Sequence, residues 1–183
     1  MNFQTMVPAY ARLELKLDAQ SFGLLMSAVG LGSIVAALIQ ALTSRARPLR
    51  AVLGSALLGL ALMALALPLP TGWVAFIFGL AGLGMITTLI NSNTTVQLLA
   101  PDRIRGRVMS VYSMVLLGTG PLGAYISGWL IDALGARFGV ATMGLLTLLA
   151  ALWMARLPWP RALTPVPSLE AKLPMPTPQA ASD

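Results

Sequence analysis

The chain has 183 residues, of which 57% are hydrophobic and 10% charged, with a net charge of +6 and neither cysteine nor histidine. A soluble domain of this size carries roughly 25% charged residues, so the composition excludes a water-exposed globular surface and places the chain in a membrane. The missing residue types exclude disulfides, a thiol nucleophile, the usual proton shuttle and the commonest metal ligand.

Residues 1–11 are apolar but make only about half of the roughly 20 residues a spanning helix needs. They read as the last part of a helix whose beginning is missing. Arg12, Glu14, Lys16 and Asp18 then alternate with leucine, as a short interfacial connection would. Residues 21–42 contain no charge and are long enough to span. Gly23 and Ser27 are four apart, as are Ala28, Gly32 and Ala36, so small residues fall on adjoining faces where another helix can approach closely. Residues 43–50 form a basic turn with Arg45, Arg47 and Arg50. Residues 51–69 are a second span, rich in Leu and Ala, ended by Pro68, Pro70 and Gly72 in an uncharged loop.

Residues 73–99 form the longest helical run, with Trp73 placed as an interface anchor. Its second half turns polar, and at 3.6 residues per turn Gly84, Thr88, Asn91 and Thr95 share one narrow stripe. Such a stripe either faces protein or a wet cavity within the membrane, or lies at the headgroup level. Asn93 and Gln97 fall on other faces.

The loop Pro101-Asp102-Arg103-Ile104-Arg105-Gly106-Arg107 carries three arginines and opens a further span over residues 108–134. Gly120, Ala124 and Gly128 recur there at four-residue spacing, and Gly123 pairs with Ser127. Pro121 lacks a backbone N–H and clashes with the preceding turn, so a kink is expected near Thr119. A short loop over residues 132–138 leads to a last span over 140–157. Seven of the thirteen prolines follow Leu157, which makes residues 158–183 a disordered, Pro-rich tail.

With alternating helices, nine of the twelve basic residues fall on one side: Arg45, Arg47, Arg50, Arg103, Arg105, Arg107, Arg156, Arg161 and Lys172. Arg12, Lys16 and Arg137 fall on the other. The positive-inside rule makes the first side, and the C-terminus, cytoplasmic. This accounts for the basic balance without nucleic acid. Residues 1–157 therefore read as an all-α integral membrane bundle of five full spans plus a truncated first span, multi-pass in a cell (inner) membrane. Met26, Gly30, Gly32 and Ala36 match Met114, Gly118, Gly120 and Ala124 at a constant offset of 88. The match relates two triplets of opposite orientation, an inverted three-plus-three repeat.

The run from Pro101 to Ser113, with Gly120-Pro121-Leu122-Gly123 and Gly128-Trp129-Leu130-Ile131-Asp132, resembles a major facilitator transporter. More narrowly, it is similar to the enterobactin-exporter and macrolide-efflux branch, at the loop before helix eleven and through that helix. The resemblance covers residues 1–157 and implies the C-terminal, six-helix half of a twelve-helix fold, with helix seven cut short. The loop at residues 43–50 departs from the pattern, having no acid where relatives often carry an Asp-Arg pair.

The resemblance implies secondary active export of a small amphipathic, drug- or siderophore-like molecule by alternating access. It implies that Arg103, Arg105, Gly106 and Arg107 form a cytoplasmic gate docking on the N-terminal half or a second copy. The competing reading of these arginines is topology and lipid headgroups alone. Gly118, Gly120, Pro121, Gly123 and Gly128 would serve helix bending and packing, and Gly84, Thr88, Asn91 and Thr95 would line the substrate cavity. No carboxylate lies in mid-membrane, since Asp102 and Asp132 stand at helix ends, so a proton-coupling acid is expected outside this chain. No cofactor or metal is expected. A non-transporting interaction protein or inert remnant is the alternative function. An enzyme is not expected, because no nucleophile-base pair or metal site can be assembled.

Overall fold

A computed structural model describes residues 3–14, 19–43 and 48–157. The expectations that fall on Arg45, Arg47, Lys16 and the Pro-rich tail lie outside the described residues. Those described are helical in five elements: α1 (Phe3–Leu13), α2 (Ala19–Leu42), α3 (Pro48–Ala64), α4 (Thr71–Leu99) and α5 (Arg105–Ala155). Three stretches are long and apolar enough to cross a membrane, Phe22–Leu42, Thr71–Leu99 and Arg105–Ala155, and α3 is a shorter apolar helix. Leu24, Leu31 and Leu38, spaced by seven along α2, are all more than half exposed. A strip of that kind is a liability in water and an ordinary surface in lipid.

Local chemistry sets the helix ends. The span expected at residues 51–69 is instead Pro48–Ala64. Pro48 suits a first helical turn, where its missing N–H has no partner to lose. At the other end Leu65, Ala66 and Leu67 each donate to the carbonyl three residues back, at 3.3, 3.0 and 3.1 Å. That tightened turn closes the helix before Pro68. Helix α4 stops at Ala100, whose backbone is extended, as expected for a residue preceding proline.

Helix α5 is two arms. Its 51 residues are helical except at Gly135, where φ is 81°, a left-handed value that glycine adopts without a Cβ clash. A Cβ built on Gly139 would lie 2.9 Å from the Cα of Ile131. Eight residues along a straight helix are separated by about 12 Å, so the chain has turned back on itself. The seven-residue loop expected at 132–138 is thus a break at one glycine. Through Pro121 the dihedrals stay helical.

The helices cross where glycine lets backbone meet backbone. Helices α2 and α4 run parallel, and a Cβ on Gly32 would fall 1.8 Å from the Gly79 carbonyl oxygen. Helix α3 runs antiparallel to α4, with Gly54 and Gly84 facing each other. It also packs antiparallel to the second arm of α5, with Gly59 and Gly144 facing each other. Side-chain packing concentrates at the end of the bundle near Leu65, where Val7, Tyr10, Leu62, Val74, Phe78 and Val140 are buried together. There the Tyr10 and Phe78 rings meet edge-on at 5.9 Å.

These contacts predict an asymmetric response to alanine. At Gly144 the new methyl would sit 2.7 Å from the Gly59 carbonyl oxygen, and overpacking of this kind typically destabilises by about 1–3 kcal/mol. At Gly118 nothing lies within 4 Å. In detergent, Gly144→Ala should lower the unfolding midpoint followed by circular dichroism, and Gly118→Ala should leave it unchanged. Equal effects would refute the backbone contact between α3 and α5.

Candidate functional site

The polar stripe of α4 faces protein. Gly84 closes on Gly54. Thr88 donates to the Gly84 carbonyl at 2.8 Å, and its hydroxyl lies 3.2 Å from that of Ser55 on α3. Asn91 and Thr95 are 1% and 5% exposed, so both face neighbouring helices and not the outer surface of the bundle. Asn91 donates through Nδ2 to Gln40 Oε1 on α2 at 3.1 Å and to the Thr87 carbonyl at 2.8 Å. Asn91 Oδ1 and Thr95 Oγ1 have no hydrogen-bond partner among the described residues. The stripe therefore joins α2, α4 and α3, and in a low-dielectric surrounding such bonds fix register as well as contact.

A cleft of about 400 Å³ opens beside the stripe. Helix α3 contributes Ser55 and Leu58 to it, and α4 contributes Met85, Thr88, Leu89 and Ser92. Tyr112 and Leu116 come from the first arm of α5 and Thr147 from the second. Of the four stripe residues only Thr88 lines it. The hydroxyl of Ser55 was legible as a lone polar group in its apolar span, and that of Thr147 as one of two threonines in its own. Their convergence was not, because it depends on how α3 and the second arm cross.

At the opposite end from Leu65, the arginines of the loop before α5 divide into two kinds. Arg105 forms an ion pair with Asp102 and donates to the carbonyls of Gln97 at 3.1 Å and Ala100 at 3.5 Å. It thereby satisfies acceptors at the carboxyl end of α4, where a cation is favoured. Arg103 and Arg107 are exposed and make no ion pair or hydrogen bond among the described residues. Gly106 between them is exposed as well. Along the first arm, a Cβ at Gly118, Gly120, Gly123 or Gly128 would meet nothing within 4 Å, and Pro121 is exposed.

A second polar cluster ties α1 to the rest of the chain. Tyr10 donates its hydroxyl to the Leu65 carbonyl at 2.9 Å. Glu14 accepts from the Arg137 guanidinium at 3.1 Å and from the Arg137 backbone N–H at 3.3 Å. Both charged side chains are less than a third exposed. The alternating charges around Arg12 gave no sign of this pairing, which spans 123 residues.

Membrane-length helices joined by glycine crossings, with a hydroxyl-lined cleft among them, define a helical membrane protein. The family model of the transmembrane secretion effectors matches residues 2–182. The chain belongs to that family of the major facilitator superfamily. No curated protein and no solved structure matches it.

The Glu14–Arg137 pair is testable by a double-mutant cycle with Glu14→Gln and Arg137→Gln. A half-buried pair with a second, backbone hydrogen bond should show a coupling of about 1 kcal/mol in unfolding free energy. Additive effects would mean that the pair contributes nothing to the seating of α1.

Proposed function

We propose that this chain is one half, the C-terminal one, of a secondary active exporter that moves small amphipathic molecules by alternating access. The family membership supports transport across a membrane. The observation that carries the finer reading is the first arm of α5. It is a membrane-length helix whose glycines at 118, 120, 123 and 128 have open space, and around its start Arg103 and Arg107 make no ion pair among the described residues.

In this reading Arg103 and Arg107 dock on acidic groups of the other half, with Gly106 allowing close approach. Arg105 holds the loop by closing the end of α4, so its role is positioning. The helix N-terminus adds partial positive charge to the docking end. The glycine-rich face receives a helix of the other half, and Pro121 supplies a weak point for bending. In this reading the protein sits in the cell (inner) membrane with the docking end and the C-terminus in the cytoplasm, a sidedness that the distribution of basic residues supports. Hydroxyls and amides among the helices give polar footing without a fixed charge, which suits a cargo that is itself largely apolar.

The reading is tested by accumulation of an uncharged fluorescent amphiphile, Nile red, in cells with and without the gene. Loss of the gene should raise accumulation several-fold, and an uncoupler should abolish the difference. Equal accumulation throughout would refute export. Arg103→Gln with Arg107→Gln should lower efflux at unchanged membrane content. Arg105→Gln should instead lower the unfolding midpoint. If all three variants export normally, the docking role is wrong.

A further inference from the structure

The far end of the polar stripe holds two groups that its other hydrogen bonds leave unmatched. Asn91 Oδ1 and Thr95 Oγ1 are both covered by protein, and neither has a hydrogen-bond partner among the described residues. Asn91 has no freedom to turn its oxygen elsewhere. Its amide carries two protons, and both are in use, one on Gln40 Oε1 at 3.1 Å and one on the Thr87 carbonyl at 2.8 Å. The free atom is therefore an acceptor. Thr95 brings a proton that is not given to the carbonyl four residues back, as those of Thr88 and Thr94 are. Leaving a buried acceptor and a buried donor both unpaired is costly, and these two sit one turn apart on one face of α4. Side chains so placed have Cβ atoms about 5–6 Å apart, a span that two hydrogen bonds of about 2.8 Å in series cover.

We propose that one water molecule sits between these two side chains, donating to Asn91 Oδ1 and accepting from the Thr95 hydroxyl. Gln40 Oε1, which takes one proton from Asn91, keeps a second lone pair for the water's other proton. A buried water takes two to four such partners. A cation would call for about six oxygens and for compensation of its charge, and no carboxylate stands on the stripe. The course of the helices explains why the water is needed here. Helices α2 and α4 meet backbone to backbone at Gly32 and Gly79. Two turns further on, the long side chain of Gln40 makes the contact with Asn91. Thr95 lies four residues beyond Asn91, where the parallel α2 has already ended at Leu42, and its short side chain reaches no partner. The water extends the joint between α2 and α4 by one turn toward the loop before α5. It does not rest on the transport reading.

The test is a crystal structure of the full chain grown from a lipid mesophase, at a resolution that shows ordered water, together with the unfolding midpoints of two variants. A density peak is expected about 2.7–3.0 Å from both Asn91 Oδ1 and Thr95 Oγ1. Thr95→Val is close in shape and lacks the hydroxyl. It should lose the peak and lower the midpoint by about 2–4 °C, because Asn91 Oδ1 then loses its bridge. Thr95→Ser keeps the hydroxyl and should keep the peak. If the threonine hydroxyl has no partner at all, valine removes an unpaired buried polar group and the midpoint should rise instead. The sign of the change therefore separates the two cases. A rise or no change overturns the proposal, and so does a map without the peak. A Thr95 hydroxyl bonded directly to another residue of the chain overturns it as well. A peak ringed by several oxygens at about 2.4 Å would be a cation, and the assignment to water would then be wrong.

Discussion

The structure depends on backbone meeting backbone at glycine. Within a bilayer there is no hydrophobic gain in moving a leucine from lipid to a helix interface, so association relies on close contact and on buried polar bonds. Gly32, Gly54, Gly59, Gly82, Gly84, Gly139 and Gly144 are the positions where an added Cβ would fall under 3 Å from a neighbouring backbone. They set how near the axes come, and hence which side chains on either side of each crossing can touch.

Two of these crossings determine the polar chemistry. With Gly54 against Gly84, Ser55 is carried to within 3.2 Å of Thr88. The crossing of α2 and α4 at Gly32 and Gly79 lets Gln40 reach Asn91 farther along. The first arm of α5 has no such crossing with α4, and the space between them is the cleft. The same constraint that packs three helices tightly leaves the fourth apart.

The two ends of the bundle are held differently. Near Leu65 the closure is by packing and a half-buried ion pair, with Tyr10, Glu14 and Arg137 binding α1 to the turn after α3 and to the start of the second arm. Near the loop before α5, Arg105 secures the end of α4 while Arg103 and Arg107 extend outward. Among the described residues the first end thus carries an ion pair that joins two helical segments, and the second presents Arg103 and Arg107 without one. That asymmetry underlies the proposed docking role.

Composition and periodicity alone determined that the chain is helical and membrane-embedded, because a 10% charged chain has no other surface to offer. They also located most helix boundaries, since prolines and charge runs act locally. The stripe of Gly84, Thr88, Asn91 and Thr95 was legible as a stripe, but its surroundings were not, for a single helix does not state what lies opposite. Of the glycines that stand out by spacing, Gly32 and Gly84 are tight, whereas those at 118, 120 and 128 have open space. The tight ones at 54, 59 and 144 sit in runs of leucine and alanine without a periodic sign. Only the tertiary structure decided between them, because close approach is a property of two helices at a crossing and neither sequence segment contains it by itself. The same holds for the turn at Gly135, where one positive φ replaced an expected loop, and for the cleft, whose walls come from four helical segments.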